Sequence, residues 1–92
     1  MLLKICVNSS ARDSDYGGEQ ILQIKKGEFV LDEIFRLHFF RLIIDEIIDG
    51  AVCFRLMEGA TPHYFVLEPN DRIATFERET SIGYDFFKFE LI

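Results

Sequence analysis

Tryptophan is absent, cysteine occurs only at Cys6 and Cys53, and basic residues are outnumbered 16 to 10 by acidic ones. Two cysteines do not make a disulfide framework. Each lies inside an apolar run, which predicts two buried thiols rather than a bridge. The net charge of −6 argues against nucleic acid as a partner, because phosphate binding needs a basic surface. No run approaches the roughly 18 apolar residues of a membrane span. The opening MLLKICV is too short, and too soon followed by polar residues, for a signal peptide. The expected setting is soluble and cytoplasmic, with no membrane partner.

Chemical motifs are also scarce. His38, His63 and the two cysteines show none of the close spacings of a zinc site. His63, next to Pro62, reads as a loop-edge residue and His38 as a polar-face one. Ser9, Ser10 and Ser81 lack a nucleophile-elbow context. Gly17-Gly18 is followed by no helix start and no Lys-Ser/Thr, so it is not a phosphate-cradling loop. The expected role is therefore not enzymatic, and no cofactor is expected. One partial match stands out: Asp13, Asp15 and Glu19, in Asp13-Ser14-Asp15-Tyr16-Gly17-Gly18-Glu19, resemble the first part of a calcium loop. The third alternating ligand and the bidentate glutamate are missing. The competing reading is a flexible acidic loop between two strands.

What the chain has in quantity is phenylalanine, ten residues of it, within a composition 49% hydrophobic. That is enough for one core and one domain over residues 1–92. The organising stretch is Phe39–Met57, two apolar runs joined by Asp49-Gly50. Asp-Gly between β-branched segments signals a tight hairpin. A two-residue turn would set Ile47 against Val52 and Ile43 against Leu56. A bulged register would set Ile44 against Phe54 and Leu42 against Leu56. Helix competes with strand over 33–48, with Asp32 as cap. The isoleucine run and the anions at Asp45, Glu46 and Asp49 in what would be its last turn favour strand.

Elsewhere the beat is two residues. Leu3, Ile5 and Val7 define a first strand, and Asn8 to Gly18 reads as loop. Gln20 to Lys25 and Glu28 to Leu31 follow as strands. Glu58 to Pro62 is a break, His63 to Leu67 a strand, and Pro69-Asn70-Asp71 a turn. Arg72 to Phe76 is a further strand and Glu79 to Gly83 a loop. In Tyr84 to Ile92, Phe87, Phe89 and Leu91 alternate with Lys88 and Glu90, the pattern of a half-buried antiparallel strand. About seven or eight strands predict an all-β fold. The first choice is a small antiparallel sandwich of jelly-roll-like type, with a small barrel next and α+β as the alternative.

For function, these observations lead to a protein-interaction or assembly module. It would present Asp13, Asp15, Tyr16, Glu19, Glu77, Glu79 and Tyr84, or a sheet edge, to a protein partner or to a second copy of itself. An inhibitor- or immunity-type protein docking a basic surface is one form of this. The alternative is a small-ligand or carbohydrate binder stacking on Tyr16, Tyr64 and Tyr84.

Overall fold

A computed structural model describes residues 1–11, 14–31, 40–81 and 83–92, and only the backbone at positions 11, 14–16, 30 and 80. The central hairpin joins β4 (Phe40–Ile48) to β5 (Ala51–Glu58). Asp49 and Gly50 both take positive φ, 53° and 80°, as in the turn whose twist matches two tightly joined strands. Ile47 faces Val52, as a two-residue turn demands, yet Ile44 faces Phe54 and Leu42 faces Leu56, as a bulge demands. Both hold because the extra residue is Asp45, in the strand and not in the turn. There the ladder slips between Ile44 and Glu46. The freed carboxylate of Asp45 accepts from Arg55 Nε at 3.0 and 2.9 Å and from its Nη2 at 2.8 Å. Residues 40–48 are thus strand and not helix, while 33–39 lie outside the described residues.

The other strands are β1 (Leu2–Ala11), β2 (Ser14–Gln23), β3 (Gly27–Val30), β6 (Thr61–Leu67), β7 (Ile73–Thr80) and β8 (Gly83–Leu91). They form two antiparallel sheets in the orders β2-β1-β8-β7 and β3-β4-β5-β6. The all-β sandwich of eight strands is therefore present. Its connectivity is not that of a jelly roll. Every ladder except β1 with β8 joins strands consecutive in sequence. Tight turns such as Asp49-Gly50 and Gly59-Ala60 keep sequence neighbours adjacent in the sheet. Neither β2 with β3 nor β6 with β7 shares a ladder, so the barrel is not closed. Among the described residues, no helix is long and apolar enough to cross a membrane.

Leu3, Ile5, Val7, Phe87, Phe89 and Leu91 line the inner face of the first sheet; Phe40, Leu42, Ile44, Val52, Phe54 and Leu56 line that of the second. Phenylalanines interlock between the layers. Phe54 meets Phe89 edge-on at 4.9 Å and Phe40 meets Phe87 at 4.8 Å between ring centroids, an arrangement that adds to plain area burial.

Two loop expectations are corrected. Asn8–Ala11 and Ser14–Gly18 are strand, carrying the β1–β2 ladder on to the pair Ala11 and Ser14. These residues lie beyond the apolar row ending at Val7, so the core imposes no hydrophobic alternation on them. The supposed loop at Glu79–Gly83 is likewise mostly strand, since β7 continues to Thr80 and β8 begins at Gly83. Pro62 enters β6, a sheet edge, where a missing N–H does least harm.

Candidate functional site

Cross-strand partners share a face of a sheet, so the register decides which predicted residues meet. In the first sheet, one row runs Asp15, Ser10, Tyr84, Glu79; the next runs Gly17, Asn8, Phe86, Glu77; a third runs Glu19, Cys6, Lys88, Thr75. All three lie on the face opposite Val7, Phe87 and Phe89. The topology therefore brings Glu19, Glu77, Glu79 and Tyr84 onto one outer face, with Asp15 at the same register position. Tyr16 falls opposite Ser9, in a row of the inner face, and Asp13 lies outside the described residues.

This face is acidic and partly aromatic. It carries Glu19, Glu77, Glu79 and Glu90 against Lys4 and Lys88, with Tyr84 and Phe86 among them. Burial raises the Tyr84 phenol above its ordinary pKa, and the carboxylates of Glu77 and Glu79 raise it further. Glu19 is engaged within the face. Its Oε2 lies 3.3 Å from Lys4 Nζ and accepts from Cys6 Sγ at 3.4 Å. Burial, then that hydrogen bond, pushes the Cys6 thiol up, away from reactive thiolate.

Several expectations are revised by these positions. Cys6 and Cys53 are half-buried free thiols, not core residues. Cys6 pairs across from Glu19 and Cys53 from Val66, on opposite outer faces of the sandwich, so they cannot bridge within one chain. Of the calcium candidates, Asp15 and Glu19 are four residues apart along an extended strand, about 13 Å between their Cα atoms at ~3.3 Å per residue. Among the described residues, no three His, Cys, Asp or Glu side chains converge as metal ligands. Of the platform tyrosines, Tyr64 lies across from Arg55 on the outer face of the second sheet and Tyr84 on that of the first.

A polar cluster at one end of the interior was not foreseen. Ser9 Oγ donates to Asp85 Oδ1 at 2.5 Å, and Arg78 donates from Nε and Nη2 to Asp85 Oδ2 at 3.0 and 2.7 Å. Arg78 Nη1 then donates to Glu58 Oε2 at 2.7 Å, and Glu58 Oε1 meets His63 Nε2 at 3.0 Å. His63 is thus a strand residue packed on the Phe76 ring at 4.5 Å, not a loop-edge one, while His38 lies outside the described residues. The sequence signal was available: Asp85 has the same parity in β8 as Phe87 and Phe89, so it had to point inward. The order of linkage excludes a serine nucleophile with a histidine base. Ser9 and His63 are separated by two carboxylates and a guanidinium, whereas that chemistry needs them in hydrogen-bond reach. The cluster instead ties one sheet to the other.

Comparison with protein-family models, curated proteins and solved structures found no match to this chain.

Proposed function

We propose that this domain is a small acidic protein-interaction module without enzymatic activity. It docks a basic protein surface on the outer face of the β2-β1-β8-β7 sheet, as an inhibitor- or immunity-type protein would. The observation that carries the reading is the register placing Glu77, Glu79 and Tyr84 in adjacent rows. Carboxylates beside an aromatic ring suit guanidinium and ammonium groups, which pair with the one and sit over the other. A cytoplasmic setting goes with this reading.

The test is titration of the isotope-labelled domain with an oligo-arginine peptide, followed by amide chemical shifts. Shifts should concentrate in β7 and β8, weaken as salt rises, and vanish in Glu77→Lys/Glu79→Lys. Shifts centred on Tyr64 and Val66, or binding indifferent to salt, would overturn the reading.

A further inference from the structure

Cross-strand order divides the outer face of the β2-β1-β8-β7 sheet into zones. At one end Glu77 and Glu79 are exposed, across from Phe86 and Tyr84. In the middle the charges answer one another within the chain. Glu19 pairs with Lys4 at 3.3 Å, and Glu90 lies across from the same lysine. At the other end the face turns aliphatic. Ile21 and Ile73 close the two ends of the row Ile21, Lys4, Glu90, Ile73. Leu2 and Ile92 lie one row further on, where the Ile92 N–H donates to the Leu2 carbonyl at 3.0 Å.

These aliphatic residues form an arc and are not scattered points. Ile21 and Leu2 are diagonal neighbours, Leu2 and Ile92 direct ones, and Ile92 and Ile73 diagonal again, close enough for one ligand side chain to touch two of them. Their exposure runs from 38% at Leu2 to 52% at Ile21. The core draws Leu3, Ile5, Phe89 and Leu91 from the same strands, so burial inside the sandwich does not account for the outward ones. A single exposed aliphatic needs no explanation, whereas a contiguous set rimmed by charge marks a contact surface.

We propose that the partner on this face is an amphipathic protein segment, cationic at one end and aliphatic at the other, which lays its aliphatic side chains on Leu2, Ile21, Ile73 and Ile92. This rests on the acidic-docking reading above and extends it along the same strands. Charge selects the occupant. Among the described residues Glu77 and Glu79 have no ion pair. Arg41 and Arg55 are held by Glu28 and Asp45, and Arg78 by Glu58 and Asp85. Those guanidinium groups are committed within the chain, so the cation that meets Glu77 and Glu79 belongs to a basic partner and not to a second copy carrying −6. Ile73 lies four residues from Glu77 and six from Glu79 in β7, about 13–20 Å along an extended strand. The occupant must hold its cationic and aliphatic groups that far apart. The charged end then orients the segment, and the aliphatic end adds affinity through buried apolar area.

The test titrates the full isotope-labelled chain with two peptides. One has three arginines, a four-residue Gly-Ser linker and Leu-Ile-Leu; the other ends in Ser-Ser-Ser instead. The aliphatic peptide should bind about tenfold tighter, and that ratio should persist as salt weakens both. It should add amide shifts at Leu2, Ile21, Ile73 and Ile92 that the serine peptide does not produce. Ile21→Ser/Ile73→Ser should erase the advantage and leave the serine peptide's shifts in β7 and β8 as they were. Equal affinity for the two peptides, with β7 and β8 still responding, would overturn this inference alone. No binding of either would overturn the acidic-face reading with it. Undiminished binding of the aliphatic peptide to Glu77→Lys/Glu79→Lys, or added shifts at Tyr64 and Val66 in place of the arc, would also overturn the proposal. So would a dimer, seen by sedimentation equilibrium, that Ile21→Ser/Ile73→Ser dissolves, since a second copy would then cover the arc.

Discussion

Arg78 of β7 reaches across the sandwich to Glu58 of β5, with Nη1 2.7 Å from Oε2. The same guanidinium binds Asp85 beside it in β8 and lies 5.0 Å over the ring of Phe40. One side chain therefore spans both layers where the apolar core ends. Burial works against the charged Arg78, and its hydrogen bonds to Glu58 and Asp85 more than offset this, raising its pKa.

Removing that cation should be more damaging than its peripheral position suggests. Asp85 is only 8% exposed, and an inward carboxylate left without its partner is strongly destabilising. Arg78→Met is expected to lose about 3 kcal/mol by urea unfolding. Arg78→Lys should fall between, because an ammonium cannot fork onto two carboxylates. Loss of less than about 0.5 kcal/mol, the usual range at a surface site, would mean the cluster does not tie the sheets.

The same contact sets a pH dependence. The hydrogen bond from Arg78, opposed by burial and helped by His63, holds the Glu58 carboxyl below its ordinary 4.5. A depressed carboxyl contributes its stability above the unfolded value and loses it as pH falls through the folded one. Melting temperature should therefore decline on acidification below about pH 4.5, and Glu58→Gln should flatten that part of the decline. An acid limb of the same size in Glu58→Gln would place its origin elsewhere.

On the outer face, the Tyr84 phenol should titrate above an ordinary tyrosine, because burial and then Glu77 and Glu79 oppose its ionisation. Glu77→Gln/Glu79→Gln should bring it partway down, burial being the larger cause. Carbon-detected titration of labelled tyrosine reads this directly, and an unmoved Tyr84 would separate it from the two glutamates.

The bulge gives a deletion test. Asp45 is the unpaired residue between Ile44 and Glu46, so removing it leaves Ile44 and Ile47 facing inward in a regular ladder. Deletion of Asp45 should preserve the fold, with loss mainly of its bonds to Arg55. Deletion of Ile43 should unfold the domain, because Phe40 and Leu42 would turn outward. Equal melting curves for the two deletions would contradict the register. In the turn, Gly50→Val should lower stability by about 1–3 kcal/mol through strain at positive φ, read by the same melts.

The sequence made the apolar half of this molecule legible. The Asp49-Gly50 turn and the alternation of Phe87, Phe89 and Leu91 were enough to predict strands and a packed pair of sheets. It obscured the rest for identifiable reasons. Asn8–Ala11 and Ser14–Gly18 read as loop because a ladder beyond the core needs no greasy alternation. The hairpin register stayed open because both counts were partly right, with the odd residue displaced to Asp45. The shared face of Glu19, Glu77, Glu79 and Tyr84 could not be read from three separate strands. It required the pairing of β1 with β8, which joins the two ends of the chain.

Phe86 is the residue through which that pairing is tested most directly. It sits in the row shared with Asn8 and Glu77. Interstrand nuclear Overhauser contacts from its backbone protons should lead to Asn8 on one side and Glu77 on the other. Contacts to Val7 and Arg78 instead would mean a slip of one residue. Tyr84 would then turn inward, and the acidic docking face would not exist.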